Sequence, residues 1–339
     1  MKQNIIDTIK SSEFLDKTKS DIISSLTDRY LIEVQKTNIN LGDSKIGGYP
    51  HLPKNFEYPQ EETYFYEFVG QINLSDLKNN DIPNFPKKGI IYFFIDDDFN
   101  VSNVNTKVFV LDNDISQLEV KNPPKDKKSR CETFLDRTEF TELKLQFKKD
   151  YTIDQKLLDK IINDQIISDE TKKSVFDIEQ FYTHDQVWGF TTTWGGGDAE
   201  WSAYLAKRRL SSLYWPTLDH QIERLKNENL DIKNWLNIKI DEAIKKQQDM
   251  LVKHDKSAYI YSYWEKELID LEFTKLNLDD FVDNLDFHKK ESKKWQMVLS
   301  LSSYYDAKMT FGDGKMEFFI NMDDLENKNF NNFYCHIYN

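Results

Sequence analysis

Cysteine is scarce in this 339-residue chain, with only Cys131 and Cys335 present. Two thiols so far apart in sequence cannot form a disulfide framework, and they suit a reducing compartment. Positive charge is also in deficit. The 45 Lys and Arg against 58 Asp and Glu give a formal charge of -13, which repels phosphate backbones and points away from nucleic acid and towards a basic protein partner. No stretch approaches the roughly 18 apolar residues of a membrane span. The opening "MKQNIIDTIKSSEFLDK" lacks the roughly 7–15-residue apolar core of an export signal. The expectation is a cytoplasmic protein without a membrane segment. Motifs for dedicated chemistry are missing too. There is no G-x-S-x-G elbow, no H-E-x-x-H and no Cys-x-x-Cys among the six histidines and two cysteines, so neither a cofactor nor a dedicated metal is expected.

What is present is enough apolar and aromatic matter, 39% and 14% of the chain, to fill one large core or two fused halves. Leu15, Ile22 and Leu26 recur at helical spacing behind Ser12, a candidate N-cap, so the N-terminus should be helical to about Asp28. From Tyr30 the period becomes two, with Tyr30, Ile32 and Val34 alternating against Leu31, Glu33 and Gln35. "IIYFFI" (90–95) reads as a strand buried on both faces, whereas Leu143, Leu145 and Phe147 mark a half-exposed one. In "NFYCHIYN" the same alternation puts Cys335 with Phe333 and Ile337 on the core side, and His336 on the other, so the two cannot form a thiolate–imidazole dyad. Ile240, Ile244 and Leu251 share a helical face, with Asp241–Lys245 and Glu242–Lys246 as expected i,i+4 pairs. Residues 205–292 read as a largely helical insertion within a single domain spanning 1–339.

Two internal echoes suggest duplication. Gly89, Phe93, Phe94, Ile95 and Asp96 recur as Gly314, Phe318, Phe319, Ile320 and Asn321. Ile72, Asn73, Leu74, Asp76 and Leu77 recur as Ile320, Asn321, Met322, Asp324 and Leu325, the pattern of a strand ending in an Asn-capped helical turn. The expected fold class is α+β, a mostly antiparallel β core of two intertwined related halves with peripheral helices. "IDDDF" (95–99) lacks the spacing of a calcium loop and reads as a solvated strand end. "KNPPKDKKSR" (121–130) reads as a solvated basic loop.

"GDSKIGGYPHLP" (42–53) and "WGGGD" (194–198) invite a phosphate-loop reading that their surroundings oppose. Prolines follow the first and acids the second, so bare backbone for close packing or a tight turn is the better use of these glycines. "SKIGGYPHLP", "FVGQINLSDL", "PKKGIIYFF", "HDQVWGF", "GDAE" and "FGDGKMEFFINMDDLENKNF" resemble, in order, the motifs of the YwqG-like family, a bacterial domain of unknown function. The resemblance implies an α+β fold of two intertwined repeats. It also implies that Lys45, Gln71, Asn73, His184, Asp198, Glu200 and Asp313 could line a shared cleft. Tyr58, Phe311, Ser300, Ser302 and Tyr304 depart from the family pattern, the last three replacing a Gln and two acids. Two functions follow. One is a non-catalytic binding protein, for example an immunity protein neutralising a basic toxin. The other is an enzyme or small-molecule binder whose cleft uses His184 as proton shuttle and Lys45 as anion anchor. Oligomeric state is left open.

Overall fold

A computed structural model describes residues 2–12, 14, 16–96, 104–129, 131, 141–152, 185–190, 199–210, 213, 224–225, 227–228, 231–254, 259–310 and 314–338. Among them are seven α-helices and twelve strands. Helices α1 (Lys2–Ser11) and α2 (Asp16–Ser24) precede β1 (Thr27–Gln35). Then come β2 (Lys45–Ile46), β3 (His51–Pro53), β4 (Glu67–Asn73), β5 (Ile90–Asp96), β6 (Asn105–Leu111), β7 (Leu118–Val120), β8 (Leu143–Thr152) and β9 (Gln186–Gly189). Four helices follow: α3 (Ala199–Lys207), α4 (Ile232–Lys253), α5 (Tyr259–Asp283) and α6 (Leu285–Ser292). The chain ends with β10 (Trp295–Ser302), β11 (Lys315–Asn321), α7 (Met322–Glu326) and β12 (Tyr334–Tyr338).

Ten strands form one sheet in the order β12-β11-β10-β9-β1-β8-β2-β4-β5-β6, with every neighbouring pair antiparallel. The fold class is therefore α+β, as the alternation of short strands predicts. The sheet curls until its two ends meet: Val104, just before β6, bridges Cys335 of β12, and Thr106 Oγ1 donates to the Phe333 carbonyl at 3.0 Å. Alternation then sorts the side chains. Tyr30, Ile32, Phe93, Leu145, Phe318 and Cys335 point into the nearly closed interior. The opposite face is covered twice: α3 to α6 pack on Trp295, Met297, Phe319 and Tyr334, while the 52–66 stretch and the small β3–β7 sheet cover Phe68, Tyr92 and Phe94.

Strand β4 carries a bulge between Phe68 and Gly70, and β10 carries one between Met297 and Leu299. A bulge fits an extra residue into one strand and sharpens its bend. Asn73 and Asn321 each end a strand and cap the helical turn beyond it, accepting from Ser75 N and Asp323 N, as the second echo predicts.

Several expectations need correction. Ser12 follows α1 and donates its hydroxyl to the Ile9 carbonyl at 2.6 Å, so it closes one helix rather than opening the next. Asp96 is buried, because β5 is covered on both faces, while residues 97–99 lie outside the described residues. The 121–129 loop is solvated as expected, none of its residues being buried, and it is also pinned: Lys121 N donates to Pro50 O, Lys128 bridges Tyr64, and the Lys127 ammonium donates to the Glu61 carbonyl. Helical structure begins at Ala199, before residue 205. Asp241 pairs with Lys275 on α5 and Glu242 with Lys239, in place of the expected i,i+4 partners.

Candidate functional site

The Gly-rich stretch builds the first polar cluster. Strand β2 is a two-residue wedge: Lys45 and Ile46 pair with Gln71 and Gly70 on one side, and with Lys144 and Leu143 on the other. Ile46 enters the core and Lys45 takes the outer face. The chain must then leave at once. Gly47 and Gly48 turn it through left-handed conformations, φ +70° and +62°. A Cβ on Gly47 would lie 2.7 Å from the Thr141 carbonyl oxygen, and one on Gly48 would lie 2.3 Å from Glu142 Cγ. Only bare backbone fits at Gly47, and at Gly48 the Glu142 side chain would have to move.

Around this turn, buried polar groups spend their hydrogen bonds on the loop itself. The Lys45 ammonium donates to the Tyr49 carbonyl, meets Glu142 Oε2 at 3.1 Å and lies 5.6 Å from the Phe68 ring centre. Gln71 Oε1 accepts from His51 N at 2.8 Å, and its Nε2 donates to the Asp43 carbonyl at 2.9 Å. His51 Nδ1 accepts from Gly42 N at 3.1 Å, which assigns the ring proton to Nε2. Tyr92 donates to the His51 carbonyl at 2.6 Å. Asn73 Nδ2 donates to the Gly42 carbonyl at 2.9 Å, and Ser44 Oγ bridges Asn73 N and Asp76. Lys45, Gln71 and Asn73 thus belong to one clamp that fastens residues 42–51 to β4 and β5.

Its electrostatics follow from burial. Desolvation pulls the Lys45 amine down to about 8, against the opposing charge of Glu142. Desolvation, with help from Lys45, pulls His51 down to about 4, so its ring is neutral at physiological pH. Burial pushes the Asp43 carboxyl up, yet hydrogen bonds from Lys144, at 2.6 Å, and Asn40 win and hold it below the usual carboxylate range.

A second cluster lies on β1, β8, β9, β10 and β11. Arg29 Nη2 meets Asp150 Oδ2 at 2.9 Å, and its Nη1 donates to Gln186 Oε1 at 2.9 Å, all three side chains being buried. Ser302 N and Oγ donate to Asp185 Oδ1, Tyr304 donates to Asp185 Oδ2, and Ser300 Oγ donates to Glu317 Oε1 at 3.2 Å. Lys315 Nζ stands 3.7 Å from Asp185. Burial pulls its amine down, against Asp185 and Glu317. The hydroxyls of Ser300, Ser302 and Tyr304 keep this row polar. Sequence reasoning missed Arg29, Asp150 and Asp185. The only available signal was a full charge on strands whose neighbours alternate apolar.

Glu200 is half-buried in the first turn of α3, which packs on β10 and β12, apart from the Lys45 clamp. His184, Asp198 and Asp313 lie outside the described residues. Among the described residues no group of three His, Cys, Asp or Glu side chains is placed to hold a metal ion. No helix among them is long and apolar enough to cross a membrane.

A family model, described as a domain of unknown function (DUF1963), matches residues 44–338. The chain belongs to the DUF1963 family. No curated protein matches the sequence. The DUF1963 match opens at Ser44, the hydroxyl that bridges Asn73 and Asp76, and takes in both polar clusters except Arg29, Asn40, Gly42 and Asp43. It leaves β1 outside, although β1 sits between β8 and β9 within the sheet.

Proposed function

We propose that this DUF1963 protein is a non-catalytic binding protein whose partner is a basic protein. One observation carries the reading: the outward stripe of α5 and α6 interleaves exposed apolar and acidic side chains. Ile269, Leu276 and Phe287 are 50%, 84% and 53% exposed, and Glu272, Asp279, Asp280, Asp283 and Asp286 are exposed among them. Ile269, Glu272, Leu276, Asp279 and Asp283 follow helical spacing, so they share one face. Apolar groups supply contact area, while the acids, within a chain of net charge -13, favour cationic partners and speed encounter. The Lys45 clamp is compatible with the same reading, because Lys45, Gln71, Asn73 and Tyr92 each give a hydrogen bond to main chain of residues 42–51 and so fasten that loop to the sheet. An immunity protein that neutralises a basic toxin in the cytoplasm is its most concrete form, and the ordered motifs favour the YwqG-like branch.

We also infer two related halves. In support, β5 and β11 carry the same echo, each pairs with a bulged strand, and Phe93 faces Gly70 where Phe318 faces Leu299. The β2–β6 group attaches to β8 and the β9–β12 group to β1, the interleaving expected of intertwined repeats.

The test is co-purification from native cells, then titration of the captured protein against wild type and a Glu272→Lys, Leu276→Ser double variant. A basic partner, weakened by salt and by the double variant, is expected. An acidic partner, or a basic one indifferent to both, would overturn the reading.

A further inference from the structure

At the junction of α5 and α6 the helical layer opens into a pocket of about 320 Å³, lined by Ile232, Val282, Leu285, Phe287, Asp283 and Asp286. Local chemistry explains its shape. Asn284 stops α5, donating to the Asp280 carbonyl and carboxylate at 3.0 and 2.9 Å, and the chain restarts as α6. Leu285 turns into the core while Asp286 and Phe287 stay outside. Asp231 caps α4 by accepting from Asn234 N at 3.1 Å, which fixes Ile232 at the opposite wall. The volume lies at the small end of ligand pockets, roughly 300–1,000 Å³. Buried Leu285 and half-buried Ile232 and Val282 supply apolar surface, while Asn284 and the exposed Asp283 and Asp286 make the rest of the lining polar.

We propose that this pocket receives one apolar anchor of a basic amphipathic segment, whose neighbouring Lys or Arg engages Asp279, Asp283 and Asp286. This rests on the binding reading above and narrows it to a site. One observation favours a cation at the rim. The protein's own Lys233 already reaches across from α4, 2.9 Å from Asp283 and 3.8 Å from Asp279. Its amine is raised by its bond to Asp283, with Asp279 and Asp231 adding to the field. Lys233 therefore stands where the partner's cation would dock and competes with it.

The experiment uses the full chain and a labelled synthetic helix of Leu and Lys, read by fluorescence anisotropy, with a Leu/Glu helix as control. Wild type should bind the first and ignore the second. Phe287→Ser should weaken binding about tenfold, as for a pocket anchor. Asp286→Lys should do likewise, and Lys233→Ala should strengthen binding several-fold by removing the competitor. Phe287 and Lys233 are surface residues, and a thermal melt verifies that each variant folds. Equal binding by wild type and Phe287→Ser, or weaker binding by Lys233→Ala, overturns the pocket. If the natural partner is lost on Glu272→Lys, Leu276→Ser yet ignores Phe287→Ser, the binding reading survives and the pocket fails. If the Leu/Lys helix does not bind at all, the pocket fails as well.

Discussion

Gly47 is the residue whose chemistry is least replaceable. Its φ of +70° alone costs an L side chain roughly 1–2 kcal/mol. The Thr141 carbonyl adds a backbone contact that cannot rotate away. Gly47→Ala should lower stability by about 2–3 kcal/mol in urea titration. Gly48→Ala should cost less, because the obstructing Glu142 side chain can swing aside at the expense of its pair with Lys45. An unchanged midpoint for Gly47→Ala would refute the close approach. His51 gives a prediction in pH. Its ring accepts from Gly42 N, so protonating Nδ1 would set two donors face to face. The native pKa of about 4 lies below the unfolded value near 6.5, so as pH falls through that window the unfolded chain takes up a proton the native state refuses. Stability is lost between those limits, by at most about 3 kcal/mol, and the loss levels off below the native pKa. His51→Gln, compared with wild type across the window, should flatten this contribution while leaving that of the carboxylates. Parallel curves for the two proteins would show that His51 is not the sensor.

Among elements, the paired Asn caps offer an internal comparison. Asn321 makes the capping bond to Asp323 N at 2.9 Å, so Asn321→Ala should cost about 1 kcal/mol. Asn73 caps and also donates to the Gly42 carbonyl, so Asn73→Ala should cost about 2 kcal/mol. Asn73→Asp keeps the cap but loses the donor, and its denaturation midpoint should fall between wild type and Ala. A midpoint equal to wild type would deny Asn73 its part in the clamp. These elements also mark what the sequence could reveal. β1, β8 and β12 were legible because each is long enough to display a period, and β5 because its apolar run is unbroken. β2 was not, since two residues have no period and the wedge exists only because β4 and β8 flank it. The Asp241 pairing was misread because a helix alone offers Lys245, whereas packing against α5 offers Lys275. Lys45, Gln71 and Asn73 were found through their motif, but their role depends on where the 42–51 loop folds back. Arg29 and Asp150 meet across 121 positions of sequence, a distance over which no local pattern operates.

At the scale of the whole molecule the question is whether the ten-stranded sheet behaves as a closed body. An open sheet presents unpaired edge groups, a liability that closure removes. Among the described residues the ends meet through a short seam, Val104 N to the Cys335 carbonyl at 3.1 Å and Thr106 Oγ1 to the Phe333 carbonyl. The interior supplies the remaining cohesion. Phe93 of β5 meets Phe318 of β11 at 4.9 Å between ring centres and Phe333 at 6.2 Å, although these strands lie far apart in the sheet order. Aromatic contacts of this kind tie both ends to one core, so the seam should open only when the core does. Hydrogen exchange can decide the matter. The Val104 amide should be protected nearly as well as that of Ile32, which donates to the Asp185 carbonyl in the middle of the sheet. Thr106→Val removes one seam bond, and because seam and core open together it should lower protection at Val104 and Ile32 by a similar factor. A Val104 amide that exchanges at the rate of an exposed edge in the wild-type protein would mean that the seam is open in solution and that the filled interior does not enforce closure.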